Sequence, residues 1–468
     1  MNCVNDTNRV NDTNRVNDSV LVRLFRAPPL LAFAAALAVA LGSVLAAAEP
    51  ASANEVTLSA ELATPVVLAG DPRTAFLKVD LTGADLPGSA RAPVNLAVVL
   101  DRSSSMAGEK IVKAKEAALL VLERLDDRDV ISVVTYDSTV EVLVPATAAA
   151  NRELIAAKIR ALEVRGSTAL FAGVSRGLAE VRKFLSRDRV NRIILLSDGQ
   201  ANVGPSSPNE LGALGASCAK QGVSVTTIGL GLGYNEDLMA KLAQKSDGNH
   251  AFAADAAELV KIFDAELGDV LSVVAQEVSV KLRFTNDARP IRVLNREAEI
   301  NGDRVFLSLN QLYRRQHKYF LLEVSLPAGA ASMSRPIAEV ETSYANLITG
   351  VTDRKGTTVS VRYSSSPAEV ARTTRSPVMI DAIGAIANEK NRIAVTLRDE
   401  GKLQQAKQVL LDNATFLNEN AARYNAPSLS TQGVKNKEDA ENLDDAQWNY
   451  RRKVMRKTQH ELETQQSY

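Results

Sequence analysis

The sequence predicts an α/β, Rossmann-like unit with a mainly parallel central sheet flanked by helices, inserted in or followed by a β-sandwich, plus a C-terminal α-helical hairpin. Three observations carry this expectation. Across residues 94–270, uninterrupted apolar runs alternate with amphipathic stretches. Over 54–93 and 271–366, apolar and polar residues alternate one by one. Over 377–424, the apolar spacing becomes that of helices.

In the first of these regions the strand candidates are residues 96–100, 130–134, 193–196 and 223–230. The first and third are apolar throughout, and the other two are interrupted only by Ser and Thr. A strand with no polar face is buried on both faces, as in a parallel sheet covered by helices. The helix candidates between them are 110–125, 170–184, 209–221 and 236–244. Asp137-Ser138 reads as a turn leading to a short antiparallel edge strand, 140–144.

The flanks read differently. Val56, Leu58, Ala60 and Leu62 fall on one face of a strand, and Leu77, Val79 and Leu81 on one face of another. Gly70-Asp71-Pro72 turns between them. Alternation returns at Val278, Val280, Leu282 and Phe284, with further strands expected at 305–309, 319–326, 337–342 and 358–363. Residues 54–93 are expected to join this sandwich, so that the α/β unit interrupts it. From 377 to 424, Ala382, Ala385, Ile393 and Leu397 space out one helix face. After Gly401, Leu403, Ala406, Leu410 and Leu417 space out a second, giving an αα-hairpin. Residues 425–468 are polar, read as a linker at 427–435 and then a partly helical or disordered tail. Trp448 and Tyr450 are expected to anchor that tail to the body.

Lys+Arg and Asp+Glu each number 55, a formal net charge of +0. This argues against bulk nucleic-acid or anionic-membrane binding. Residues 1–53 read as an N-terminal extension and a signal peptide. Arg23 and Arg26 precede an uncharged apolar run, 28–48, and Ala46-Ala47-Ala48 and Ala51-Ser52-Ala53 supply small-residue cleavage sites. The other reading is an uncleaved membrane anchor. Residues 4–18 are a short repeat. Cys3 precedes the cleavage sites, so the mature chain keeps only Cys218, expected in a helix as a small buried apolar residue. An exported protein, periplasmic or extracellular, without disulfides is the expectation.

The residues with most to say about chemistry follow the first buried strand. Asp101, Ser103 and Ser105 form an Asp-x-Ser-x-Ser cluster at its carboxyl end. Thr168 opens a helix about sixty residues on, and Asp198 ends another buried strand. Carboxylates and hydroxyls suit a hard cation such as Mg²⁺, or Mn²⁺ or Ca²⁺. Open α/β sheets place their sites at the carboxyl ends of strands. Helix capping accounts for each residue singly, but not for their convergence on one sheet edge. Gly229-Leu230-Gly231-Leu232-Gly233 is a weak nucleotide motif, because its spacing is wrong and no phosphate-binding Lys follows. His250, His317 and His460 lie far from one another and from paired carboxylates in sequence, so no nucleophile and base pair up. No catalytic residues are assigned.

This constellation resembles the metal-ion-dependent adhesion site of von Willebrand factor type A domains. Val133-Val134-Thr135-Tyr136-Asp137-Ser138, residues 197–204 and Thr227-Ile228-Gly229-Leu230-Gly231 extend the likeness to bacterial secreted members. Such proteins pair the domain with a β-rich region, as in inter-α-trypsin inhibitor heavy chains and bacterial calcium-activated-channel-like proteins. The resemblance implies that Ser103, Ser105 and Thr168 bind the metal directly and that Asp101 and Asp198 act mostly through water. It implies a non-enzymatic binding protein whose metal takes an Asp or Glu from a partner protein, in adhesion or cell-envelope assembly. The alternatives are a scaffold with a regulatory or vestigial metal site, or a protein presenting substrates to a hydrolase. Ser104 stands where the family usually has Gly. If that position needs a left-handed backbone, Ser costs of order 1 kcal/mol.

Overall fold

The computed structural model describes residues 56–85, 91–443 and 445–466. The expected signal peptide, the 4–18 repeat and Cys3 lie outside these residues. Among the described residues, no helix is long and apolar enough to cross a membrane.

Three strands precede the α/β unit: β1 (Val56–Leu62), β2 (Val66–Leu68) and β3 (Arg73–Gly83). The unit itself runs through β4 (Val94–Asp101), α1 (Glu109–Arg124), β5 (Val130–Tyr136), β6 (Val140–Ala148), α2 (Arg152–Arg160), α3 (Leu170–Arg182) and β7 (Val190–Ser197). It continues with α4 (Pro208–Ala219), β8 (Val223–Leu230), α5 (Glu236–Lys245), β9 (His250–Ala253) and α6 (Ala257–Val270). Its sheet has the order β6-β5-β4-β7-β8-β9. All neighbours are parallel except the β5–β6 hairpin. Every residue of β4, β5, β7, β8 and β9 is buried. That is why these strands carry no polar alternation: one apolar cluster packs α1 and α6 on one face, and a second packs α3, α4 and α5 on the other.

The chain then enters β10 (Val273–Phe284), β11 (Arg289–Val293), β12 (Glu299–Asn301), β13 (Arg304–Tyr313), β14 (His317–Leu326), β15 (Ser334–Asn346) and β16 (Thr352–Ser364). These close a sandwich with the first three strands. One sheet is ordered β1-β3-β14-β11 and the other β12-β13-β10-β15-β16-β2. The α/β unit therefore interrupts a sandwich whose strands come from both sides of it. A shared apolar core, including Leu77, Val79, Leu81, Val280, Phe320 and Tyr344, fills the space between the sheets.

A buried polar cluster joins the two layers. Arg192 of β7 is fully buried and bonds Glu266 of α6 at 2.9 Å, Gln311 at 3.0 Å and the Tyr313 hydroxyl at 2.6 Å, the last two on β13. Arg192 lies near the start of β7, at the opposite end of the sheet from Asp198.

The helical region differs from expectation in one respect. After α7 (Pro367–Thr373), the hairpin forms from α8 (Ser376–Asp399) and α9 (Leu403–Tyr424), with Gly401 turning at φ +78°. The polar tail is neither linker nor disorder, however. It folds as α10 (Pro427–Glu441) and α11 (Asp445–Thr464). Pro427 occupies the first helical turn, where its missing N–H costs nothing. Helix α11 packs on the α/β unit. Arg452 pairs with Glu236, with Asp237 and with Asp399 of α8. Lys453 donates to the Tyr234 carbonyl at 2.8 Å and to Glu236 at 2.5 Å. Trp448 is buried beside Ala394, Val395 and Leu410, as its anchoring role required. Asn413, part of an Asn-x-Thr sequence, is fully buried and donates to the Ala387 carbonyl, so it offers nothing to a glycosyl group.

Candidate metal centre

Strands β4 and β7 are adjacent, and the chain leaves β4 towards β5 on one side and returns to β7 on the other. This is the topological switch point of the sheet, where the carboxyl ends of two strands open a crevice. Asp101 ends β4, Ser197 ends β7, and Asp198 follows it.

The Asp101 carboxylate is fully buried. One oxygen accepts the Ser103 N–H and the other the Ser197 hydroxyl, both at 2.8 Å. Burial pushes its carboxyl up to about 6, against the pull of these hydrogen bonds. The Ser103 and Ser105 hydroxyls lie 3.0 Å apart. The Ser105 hydroxyl donates to Asp198 at 2.6 Å. Thr168 comes in from the loop before α3, its N–H held at 2.8 Å by the side chain of Asn202. Gly199 shows how closely these groups face one another: a β-carbon there would stand 3.2 Å from Thr168 Oγ1 and 3.6 Å from Ser105 Oγ. All five residues expected from the sequence thus border one small polar space.

The surrounding loops are fixed by ion pairs. Burial alone would raise the Asp137 carboxyl, but hydrogen bonds from Arg165, Thr139 and Arg102 bring it down to about 2. Asp137 thereby ties the segment after Asp101 to the loop that leads to Thr168. Ser104 is not among the described residues with positive φ. Its N–H and its hydroxyl both donate to the Gly166 carbonyl at 3.1 Å. The expected cost of Ser in place of Gly therefore does not arise, and the side chain gains a bond between two loops of the site.

Three residues were not singled out by sequence. Ser197 orients Asp101, Asn202 positions Thr168, and Lys110 places its ammonium 2.5 Å from Asp198. The first two lie within the 197–204 motif that carried the resemblance. Lys110 gave no signal of its own. The glycine-rich stretch after β8 serves packing: a β-carbon at Gly233 would lie 2.7 Å from the Asp198 carbonyl oxygen. His250 and His460 are both buried, and their ring nitrogens face Thr227 and the Gly248 carbonyl. Cys218 is buried, and burial pushes its thiol up to about 12.

Two carboxylates and three hydroxyls facing one space form an all-oxygen donor set, which fits a hard divalent cation. Among the described residues no group of three or more His, Cys, Asp or Glu side chains is placed to hold a metal ion, so the donor set here depends on hydroxyls beside two carboxylates.

Residues 95–265 match the family described as von Willebrand factor type A domain. The chain contains a von Willebrand factor type A domain. The uncharacterized protein YfbK of Escherichia coli is 27% identical over 269 residues, covering 56% of this chain and 46% of that protein. The human inter-alpha-trypsin inhibitor heavy chain H3 is 30% identical over 170 residues, covering 34% of this chain and 19% of its own length. The chain thus spans less than half the length of either relative. The solved von Willebrand factor type A protein of Catenulispora acidiphila aligns over 82% of this chain and 96% of its own with a TM-score of 0.64. At 14% identity, that likeness shows a shared fold. It extends well beyond the type A domain into the flanking regions.

Proposed function

We propose that this is an exported protein that binds other proteins through a divalent cation, in adhesion or cell-envelope assembly, and that it catalyses no reaction. The observation that carries the reading is the convergence of Asp101, Ser103, Ser105, Thr168 and Asp198 at the switch point of the type A domain's sheet. Ser103, Ser105 and Thr168 would hold the cation through their hydroxyls. Asp101 and Asp198 would balance its charge, Asp101 kept in place by Ser197 and Asp198 by Ser105. When bound among neutral direct ligands, a divalent cation supplies an electron-poor position that favours one more anionic oxygen. The oxygen nearest to hand on another protein is an Asp or Glu carboxylate. The burial of Asp101, Ser103, Thr168 and Asp198 supports this, because a partner carboxylate reaching a site largely shielded from water gains in strength. Export rests on the grammar of residues 23–53 in the sequence.

Selection of displayed random peptides on the immobilised protein tests the reading. Enrichment of peptides containing Asp or Glu in Mg²⁺, lost with a chelator and with Ser103→Ala, is the expected result. Equal capture with chelator and with Ser103→Ala would favour a scaffold whose type A site plays no part in binding.

A further inference from the structure

Lys110 lies in the first turn of α1, directly over the candidate metal centre. Its Nζ is 2.5 Å from one oxygen of Asp198 and 3.3 Å from the Ser105 carbonyl. The other oxygen of Asp198 takes the Ser105 hydroxyl. Both oxygens of this carboxylate are therefore engaged by groups of the chain itself. The Asp198 side chain is 0% exposed, whereas that of Lys110 is 35% exposed. A buried carboxylate is costly without a partner charge. A lysine supplies that charge on a flexible stem that reaches solvent from its other side.

We propose that Lys110 is a tethered cation that competes with the divalent metal for Asp198 and so sets how tightly the site holds metal. The inference rests on the metal-binding reading above. Two cations cannot share one buried carboxylate without strong mutual repulsion, since charges interact strongly where water is excluded. Metal entry therefore requires the ammonium to leave Asp198, and the exposed side of the lysine gives it a route. In the absence of metal, Lys110 keeps Asp198 compensated and the loops of the site in place. The lysine thus makes the site reversible, filled when divalent cation is plentiful and self-closed when it is not.

The test is Mg²⁺ titration by calorimetry on the full chain, beside thermal melting with and without Mg²⁺. The variants are Lys110→Met, Lys110→Gln and Lys110→Arg, with Lys113→Met as control. Lys113 pairs with Glu116 on the outer side of α1. Lys110→Met should bind Mg²⁺ at least about tenfold more tightly than the wild type. Without metal its melting temperature should fall, and the rise produced by Mg²⁺ should grow. Lys110→Gln, which keeps a donor towards Asp198 and the Ser105 carbonyl, should show the same direction if the Met variant does not fold. Lys110→Arg, which keeps the charge, and Lys113→Met should stay near the wild type. Equal Mg²⁺ affinity in the wild type and the neutral variants would overturn the role of Lys110 and leave the metal site standing. No binding in any of them would overturn the metal site and the lysine's role together.

Discussion

Acid should weaken the docking of α11 on the type A domain, and His250 and His460 set by how much. The two imidazoles face each other edge to face at 6.0 Å, His250 at the start of β9 and His460 on α11. His250 Nδ1 lies 2.9 Å from the Thr227 hydroxyl, whose own proton goes to the Met239 carbonyl. Nδ1 therefore donates, and Nε2 is left without hydrogen or partner. His460 Nε2 donates to the Gly248 carbonyl at 3.1 Å. Burial first, then Lys453 and Lys457, pull His250 down to about 3, with Asp237 opposing. Burial, His250, Lys318 and Arg296 do the same for His460. A folded-state value below that of the unfolded chain, near 6.5, means that the unfolded chain takes up the proton first. The stability contributed by each neutral ring is complete above about pH 6.5 and is lost as the pH falls towards about 3. Between about pH 7 and pH 5 the loss is roughly 2 kcal/mol per ring. Asp269, which burial pushes up to about 6, and Glu463, raised by burial, gain stability over the same window. The rings are therefore read by difference. His250→Asn and His460→Gln keep the donors to Thr227 and Gly248 without titrating. Urea unfolding at about pH 7 and pH 5 should show each variant losing roughly 2 kcal/mol less than the wild type over that interval. The same acid-induced loss in the double variant and the wild type would refute the reasoning.

Arg192→Met should destabilise the fold by about 3–5 kcal/mol, because it breaks the fully buried Arg192–Glu266 ion pair. It should leave Mg²⁺ affinity unchanged, since Arg192 precedes Asp198 by about 20 Å of strand; denaturant unfolding and calorimetry read the two effects separately. Gly199→Ala should fold normally, as Gly199 is not among the glycines with positive φ. Its methyl would press on Thr168 Oγ1, 3.2 Å away, and should weaken Mg²⁺ binding about tenfold or more, a shift of at least about 1.4 kcal/mol.

What could be read from sequence follows physical lines. The buried strands announced themselves because burial on both faces favours apolar residues over long runs, as in 96–100 and 193–196. The Asp-x-Ser-x-Ser cluster was visible because its three members are neighbours in the chain. The part played by Lys110 was not, since it depends on α1 starting beside the end of β7, which only the sheet order determines. Strand β9 has four residues and α2 nine, too short for a periodic signal to rise above the background. The tail misled for a different reason. The basic face of α11 reads as solvated, yet Arg452, Lys453 and Arg456 spend their charge on Glu236, Asp237 and Asp399. A polar helix buried through ion pairs has the same pattern as an exposed one. Pro427, which looked like a linker residue, was the first turn of a helix.

The central claim is that the switch point of the type A domain holds a divalent cation, and Mg²⁺ titration of the purified full chain beside Asp101→Ala tests it most directly. The account predicts saturable binding of a single ion to the wild type, lost in the variant. Wild-type protein that takes up no ion, or a variant that binds as well as the wild type, would contradict it.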